Sequence, residues 1–188
     1  MPVPRSAVRR EKKIYMLTMT GLMAAVTCVL APLALPIGPV PVTLVNLVIY
    51  LSCYLLGGKL ASLSCLVYVL LGLAGMPVFA GFTGGAGKLL GPTGGYILGY
   101  LLLAVVSGNF VDRFSSRILH GIGMVLGTVL CYGLGTAWYC ISAQTTPAAA
   151  LALCVLPFIP GDVVKIGLAL SFGPVLRGRL EKVGLLTK

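Results

Sequence analysis

Asp162 and Lys165 stand inside an apolar stretch near the end of this 188-residue chain, in the segment PFIPGDVVK. A helix places side chains three apart on one face, so the carboxylate and the ammonium become neighbours. Asp162 follows Pro160-Gly161, where the free N–H groups of a starting helix favour a negative charge. A carboxylate only accepts hydrogen bonds and an ammonium only donates them. Together they suit a neutral ligand carrying both N–H and C=O groups, such as a urea, amide or lactam ring. The same pair can instead staple one helix by bonding only to itself, or Asp162 can carry a proton. Ionised groups inside a membrane are costly unless partnered, which marks them as functional by default.

Other candidates surround this pair. Two glycine-rich stretches, GGAGKLL and GPTGGY, lie between residues 84 and 96. A Walker-type phosphate loop would need glycine at 82 and Ser or Thr at 89; Phe82 and Leu89 stand there instead. The glycines suit close backbone approach, to other helices or to a ligand. Asn46 opens an apolar run and either faces a cavity or caps a helix. His120, beside Arg117, is expected at the interface, as are Gln144 and Trp138. The six cysteines show no CxxC spacing and read as small buried hydrophobes. One histidine, no metal-ligand cluster and no GxSxG leave hydrolase and metalloenzyme chemistry without its parts, and no enzyme is expected.

The elements that position these residues belong in a bilayer. Hydrophobic residues make up 58% of the chain, charged residues 10%, and the mean hydropathy is +1.03. Eighteen charges cannot cover a soluble domain of this size, so the excess apolar surface needs lipid. The apolar runs are 16–35, 43–56, 60–73, 96–111, 118–139 and a helix over 161–180. A short helix over 147–157 is expected to pack against protein. This predicts an all-α membrane protein of six transmembrane helices, with a structured outer loop at 76–95 between helices 3 and 4. Residues 1–13 form a basic segment, 14–180 one transmembrane domain, and 181–188 a basic tail.

Charge sets the orientation. Of fourteen lysines and arginines, twelve fall at the termini or in connections on one side; Lys88 alone falls on the other, and Lys165 lies within a helix. Both termini are therefore expected in the cytoplasm of a multi-pass cell-membrane protein. Helix one carries small residues at a spacing of four, Thr20, Ala24, Cys28 and Gly21, Ala25, which allow another helix to come close.

The segments Pro77-Val-Phe-Ala-Gly81, Gly84-Gly85, Gly91-Pro-Thr-Gly-Gly-Tyr96 and Pro157-Phe-Ile-Pro-Gly-Asp162-Val-Val-Lys165 closely resemble those of the BioY family. These are biotin-specific substrate-binding (S) components of energy-coupling factor transporters. The resemblance spans nearly the whole chain. It implies capture of extracellular biotin, with a transmembrane coupling protein and two cytoplasmic ATPases as partners. ATP would be used by those ATPases, and no cofactor by this chain.

The resemblance further implies that Asp162 accepts a ureido N–H while Lys165 donates to the ureido C=O. Phe79, Phe82 and Tyr96 would cover the thiophane ring and tail. The loop with Gly84 and Gly85 would form the lid. Read from its charge and its side of the membrane rather than from the resemblance, Lys88 would meet the carboxylate. Asn46 would face the cavity or cap its helix. Gly21, Ala24, Ala25 and Cys28 would form the docking face for the coupling protein. A self-sufficient proton-coupled transporter, or an S component for another heterocyclic vitamin, are the alternative readings.

Overall fold

The computed structural model describes residues 5–35 and 40–182, with side chains from residue 13 onward. The side chains of the basic cluster at 5–12, the turn at 36–39 and the tail at 183–188 lie outside the described residues.

The described chain is all-α: α1 (Arg5–Leu30), α2 (Val45–Leu73), α3 (Ala86–Leu90), α4 (Gly94–Arg113), α5 (Arg117–Ala143), α6 (Pro147–Cys154) and α7 (Ile159–Lys182). Five of them, α1, α2, α4, α5 and α7, are long and apolar enough to cross a membrane. Their lipid-facing sides carry exposed leucine, valine and isoleucine in quantity. Threonine and serine hydroxyls on these helices turn back to carbonyls one turn earlier, as in Thr27 Oγ1 to Met23 O at 2.8 Å. That satisfies a polar group without water.

The runs expected at 43–56 and 60–73 are continuous in α2 except at Gly57, whose φ of 75° and ψ of 169° are not helical. Only glycine takes such a conformation without a Cβ penalty. Val45 and Tyr68 nevertheless line one cavity, although a straight helix would hold them about 34 Å apart. The chain therefore doubles back at Gly57, giving arms 45–56 and 58–73. At this corner the Gly58 N–H donates to Asp112 Oδ2 at 2.7 Å. Beside it, α2 and α4 touch backbone to backbone, because a Cβ on Gly108 would sit 2.2 Å from Gly58 Cα.

Several boundaries differ from the sequence reading. Helix α1 ends at Leu30 rather than continuing to 35, because the residue before Pro32 is disfavoured in helical geometry. Helix α7 begins at Ile159 and takes in Pro160 and Gly161. Proline is tolerated there because its missing N–H falls in the first turn, where N–H groups have no helical partner. Helix α6 is shorter than expected, and Thr146 caps it through Oγ1, which accepts from Ala149 N at 3.4 Å.

Helices α4 and α5 pack along their length; α2 packs on α1, α4 and α7. The α4–α5 seam is tight because small residues meet large ones: a Cβ on Gly135 would lie 2.3 Å from the Tyr96 ring, and one on Gly99 2.7 Å from Cys131 Sγ. The bundle has two unlike ends. One holds Asp112, Lys13, Lys59, Arg113, Arg117, Arg177, Arg179 and Lys182 with the short connection 114–116. The other holds the loops at 74–93 and 144–146 and, among described basic residues, only Lys88 with the buried Lys165.

His120 is buried, packed edge-on against Tyr54 with its Nδ1 3.0 Å from the Tyr54 hydroxyl. Its Nε2 lies 2.7 Å from Phe114 O, so both ring nitrogens are occupied. Trp138 likewise has a partner within the protein, donating to Gly91 O at 3.0 Å and tying the loop to α5.

Candidate functional site

The first turn of α7 carries Asp162 inward, with the Asp162 N–H donating to Phe158 O at 2.9 Å. Lys165, three positions on, reaches back, and its Nζ lies 2.9 Å from Asp162 Oδ1. Both residues are buried, at 5% and 7% exposure, although Val163 and Val164 between them are exposed. In its first three turns one face of α7 thus buries two charges while the other exposes valine and leucine.

The pair does not close on itself. Asn46, in the first turn of α2, donates its Nδ2 to Asp162 Oδ1 at 3.4 Å. Tyr132, on α5, donates its hydroxyl to Asp162 Oδ2. Three helices therefore converge on one carboxylate. A buried ion pair with added donors can be retained where the pair alone would struggle to offset its desolvation. The reading of Asp162 and Lys165 as a staple bonded only to itself does not hold.

These residues line a cavity with Val40, Pro41, Thr43, Tyr96, Tyr100, Cys131, Cys154 and Phe158. A second lobe adjoins it through Val40, Pro41, Thr43, Tyr96 and Tyr100, and continues past Tyr68, Ala80 and Ile97 to Lys88. The arrangement has a charged, hydrogen-bonding floor at one end and an apolar, aromatic middle. A single ammonium lies at the far end. It suits an elongated ligand with a polar ring, an apolar body and an anionic tail.

Of the residues expected from sequence, Asp162, Lys165, Asn46, Tyr96 and Lys88 are brought together around these two lobes. Phe79 is not on the wall: it is fully buried, edge-on to Tyr68, with its ring over Gly72. Phe82 is 66% exposed, in a turn with φ 57°, and points away from the bundle. A local bridge between Phe79 and Thr83 forces this split, burying one ring and turning out the other. Gly84 packs against the backbone at Met76, and Gly85 donates to Gly72 O at 2.7 Å at the start of α3. Both shape the loop; neither lines a lobe.

The small residues of α1 divide between two faces. Ala24 is buried against the bundle at 2% exposure and Cys28 packs on the core, whereas Gly21 and Ala25 are exposed. One residue of helix is a rotation of about 100°, so adjacent rows point apart.

Sequence reasoning missed Tyr132, Tyr100, Tyr68 and Thr43. A signal existed for Tyr132. On α5, Thr128, Tyr132 and Thr136 recur every four residues, a polar stripe within an apolar helix. Thr128 meets Tyr50 at 2.6 Å and Thr136 meets Tyr96 at 3.0 Å, so the stripe faces protein rather than lipid.

A protein-family model described as the BioY family matches residues 5–182. The chain is similar to "Biotin transporter BioY2" of Lactococcus lactis subsp. cremoris (strain MG1363), at 36% identity over 168 residues, covering 89% of this chain and 92% of the relative. It is 38% identical over 161 residues to "Probable biotin transporter BioY" of Pyrococcus horikoshii, covering 86% and 95%. Among solved structures, it is similar to the S-component for biotin from an ECF-type ABC transporter. The TM-score is 0.82 at 29% identity, covering 94% of this chain and 95% of that one.

Proposed function

Because the chain belongs to the BioY family, we propose that it takes up biotin as the S component of an energy-coupling factor transporter. The observation that carries this reading is the convergence of Asn46, Tyr132 and Lys165 on Asp162 at one end of a two-lobed cavity, with Lys88 at the other.

Biotin presents a cyclic urea, an apolar sulfur ring with an aliphatic tail, and a carboxylate. The ureido ring would sit on Asp162 and Lys165, with a N–H donated to the carboxylate and the carbonyl accepting from the ammonium. Tyr96, Tyr100 and Tyr68 would enclose the apolar body. Lys88 would meet the carboxylate at the mouth. Both polar ends of the ligand then have charge-assisted partners.

The two arms of α2 raise the number of membrane crossings to six, which puts both termini on one side. With most basic residues at the Asp112 end, that end faces the cytoplasm and the cavity opens outward. The exposed Gly21 and Ala25 on α1 give a membrane coupling protein a close-approach face, and ATPases bound to that protein would drive delivery. Residues 14–180 act as one transmembrane unit between basic cytoplasmic ends.

Titrating biotin against the purified chain, with thiamine and riboflavin for comparison, tests this function. Saturable binding of biotin alone is expected. Equal binding of the other vitamins, or no binding of biotin, overturns it.

A further inference from the structure

A cyclic urea has two N–H groups flanking one carbonyl, and each needs a partner when water is excluded. A carboxylate offers about four acceptor positions. In Asp162, Oδ1 receives Lys165 Nζ and Asn46 Nδ2, and Oδ2 receives the Tyr132 hydroxyl. One position remains, on Oδ2, enough for a single ligand N–H. Lys165 uses one of its three N–H groups on Asp162 and keeps two for the carbonyl. The second ligand N–H therefore needs a different acceptor on the cavity wall.

Asn46 supplies one. Its NH2 group is held by an acceptor-only carboxylate, which fixes which end of the amide points at Asp162 and leaves the carbonyl oxygen facing elsewhere. Among the described residues that oxygen accepts no hydrogen bond, yet it is not sealed from the cavity its side chain lines. In the lobe around Asp162 the hydroxyls of Tyr132, Tyr96, Tyr100 and Thr43 already share hydrogen bonds with Asp162, with Thr136 or with each other, whereas the Asn46 oxygen has no partner among the described residues.

We infer, on the reading of biotin as the ligand, that Asn46 is a specificity-determining residue whose amide oxygen accepts the second ureido N–H. Asp162, Asn46 and Lys165 then match the two N–H groups and the carbonyl one for one. The cavity selects a cyclic urea over a lactam or carbamate ring, which has a single N–H.

The test uses biotin and its two cyclic carbamate analogues, each with one ureido N–H replaced by a ring oxygen. Size is conserved and one donor is lost. The purified chain should bind each carbamate about tenfold or more weakly than biotin, because an acceptor is left facing an oxygen. In Asn46→Ala, biotin itself should weaken by about tenfold, and one carbamate should fall to within about threefold of it while the other keeps its full handicap. Tyr132→Phe should leave both handicaps in place. The wild-type comparison needs no substitution and stands if Asn46→Ala fails to fold. Wild-type chain that binds biotin and either carbamate about equally overturns the inference alone. Handicaps unchanged in Asn46→Ala, or relieved only in Tyr132→Phe, also overturn it. A chain that binds no biotin overturns this inference and the proposed function together.

Discussion

The hydroxyl of Tyr132, on α5, donates to Oδ2 of Asp162 in the first turn of α7, thirty residues later in the chain. This bond ties two helices that otherwise meet along a limited seam, and it aims the carboxylate into the cavity. Tyr132 also lies edge-on to Tyr96, so the position of the carboxylate is linked to the aromatic wall between the lobes.

Tyr132→Phe removes that donor and leaves Oδ2 without a partner among the described residues. A hydrogen bond to a charged group is worth about 1.5–3 kcal/mol, so the ligand-free chain should melt at a lower temperature in detergent. Saturating biotin should still raise the melting temperature, since the ligand engages the same carboxylate. Thermal melts with and without biotin check this; an unchanged melting temperature would mean the bond contributes nothing.

Asp162→Asn and Lys165→Ala each leave the other partner buried without its counter-charge. The loss should be about 2–5 kcal/mol, or roughly thirtyfold to several thousandfold in biotin affinity. Equilibrium binding to purified variants measures it. Undiminished affinity in both would remove the pair from the site.

Lys88→Ala should weaken biotin but not biotin amide, because only the acid carries the charge the ammonium would meet. An exposed pair contributes about 0.2–1 kcal/mol, and a half-buried one like this more. The ratio of the two affinities is the readout. Equal losses for acid and amide would point to a packing role.

Gly108→Ala should be strongly destabilising, because its Cβ would lie 2.2 Å from Gly58 Cα, where no flexible side chain can yield. Forced overpacking typically costs about 1–3 kcal/mol. Gly133→Ala, on the same bundle with nothing within 4 Å, is the matched control and should be neutral. Yield of folded, monodisperse protein separates the two.

Gly21→Trp and Ala25→Trp on the exposed row of α1 should leave biotin binding intact while abolishing uptake with the coupling partners present. Ala24→Trp should instead damage the fold, since Ala24 is buried. Uptake and binding assays on the same variants distinguish docking from packing.

Much was legible because it is local or compositional. Six apolar runs and a one-sided distribution of basic residues follow from the cost of burying polar groups and charges in lipid. The i, i+3 placement of Asp162 and Lys165 follows from helical geometry alone. The loop at 79–83 is less legible. Phe79 and Phe82 look alike in sequence, and only the Phe79–Thr83 bridge sends one into the core and the other outward.

The sequence by itself determined the solvent, the apolar runs and the charged pair, since each depends on a few neighbouring residues or on composition. Tertiary structure decided what surrounds the pair. Asn46 lies 116 positions from Asp162, and nothing in α2 marks its first turn as facing α7. The reversal at Gly57 and the rotation of α1 that separates Ala24 from Ala25 are of the same kind. In a helix apolar on every side, polarity does not mark the inward face. Close packing between helices chooses it, through contacts such as Gly58 on Gly108 and Tyr54 on Gly173.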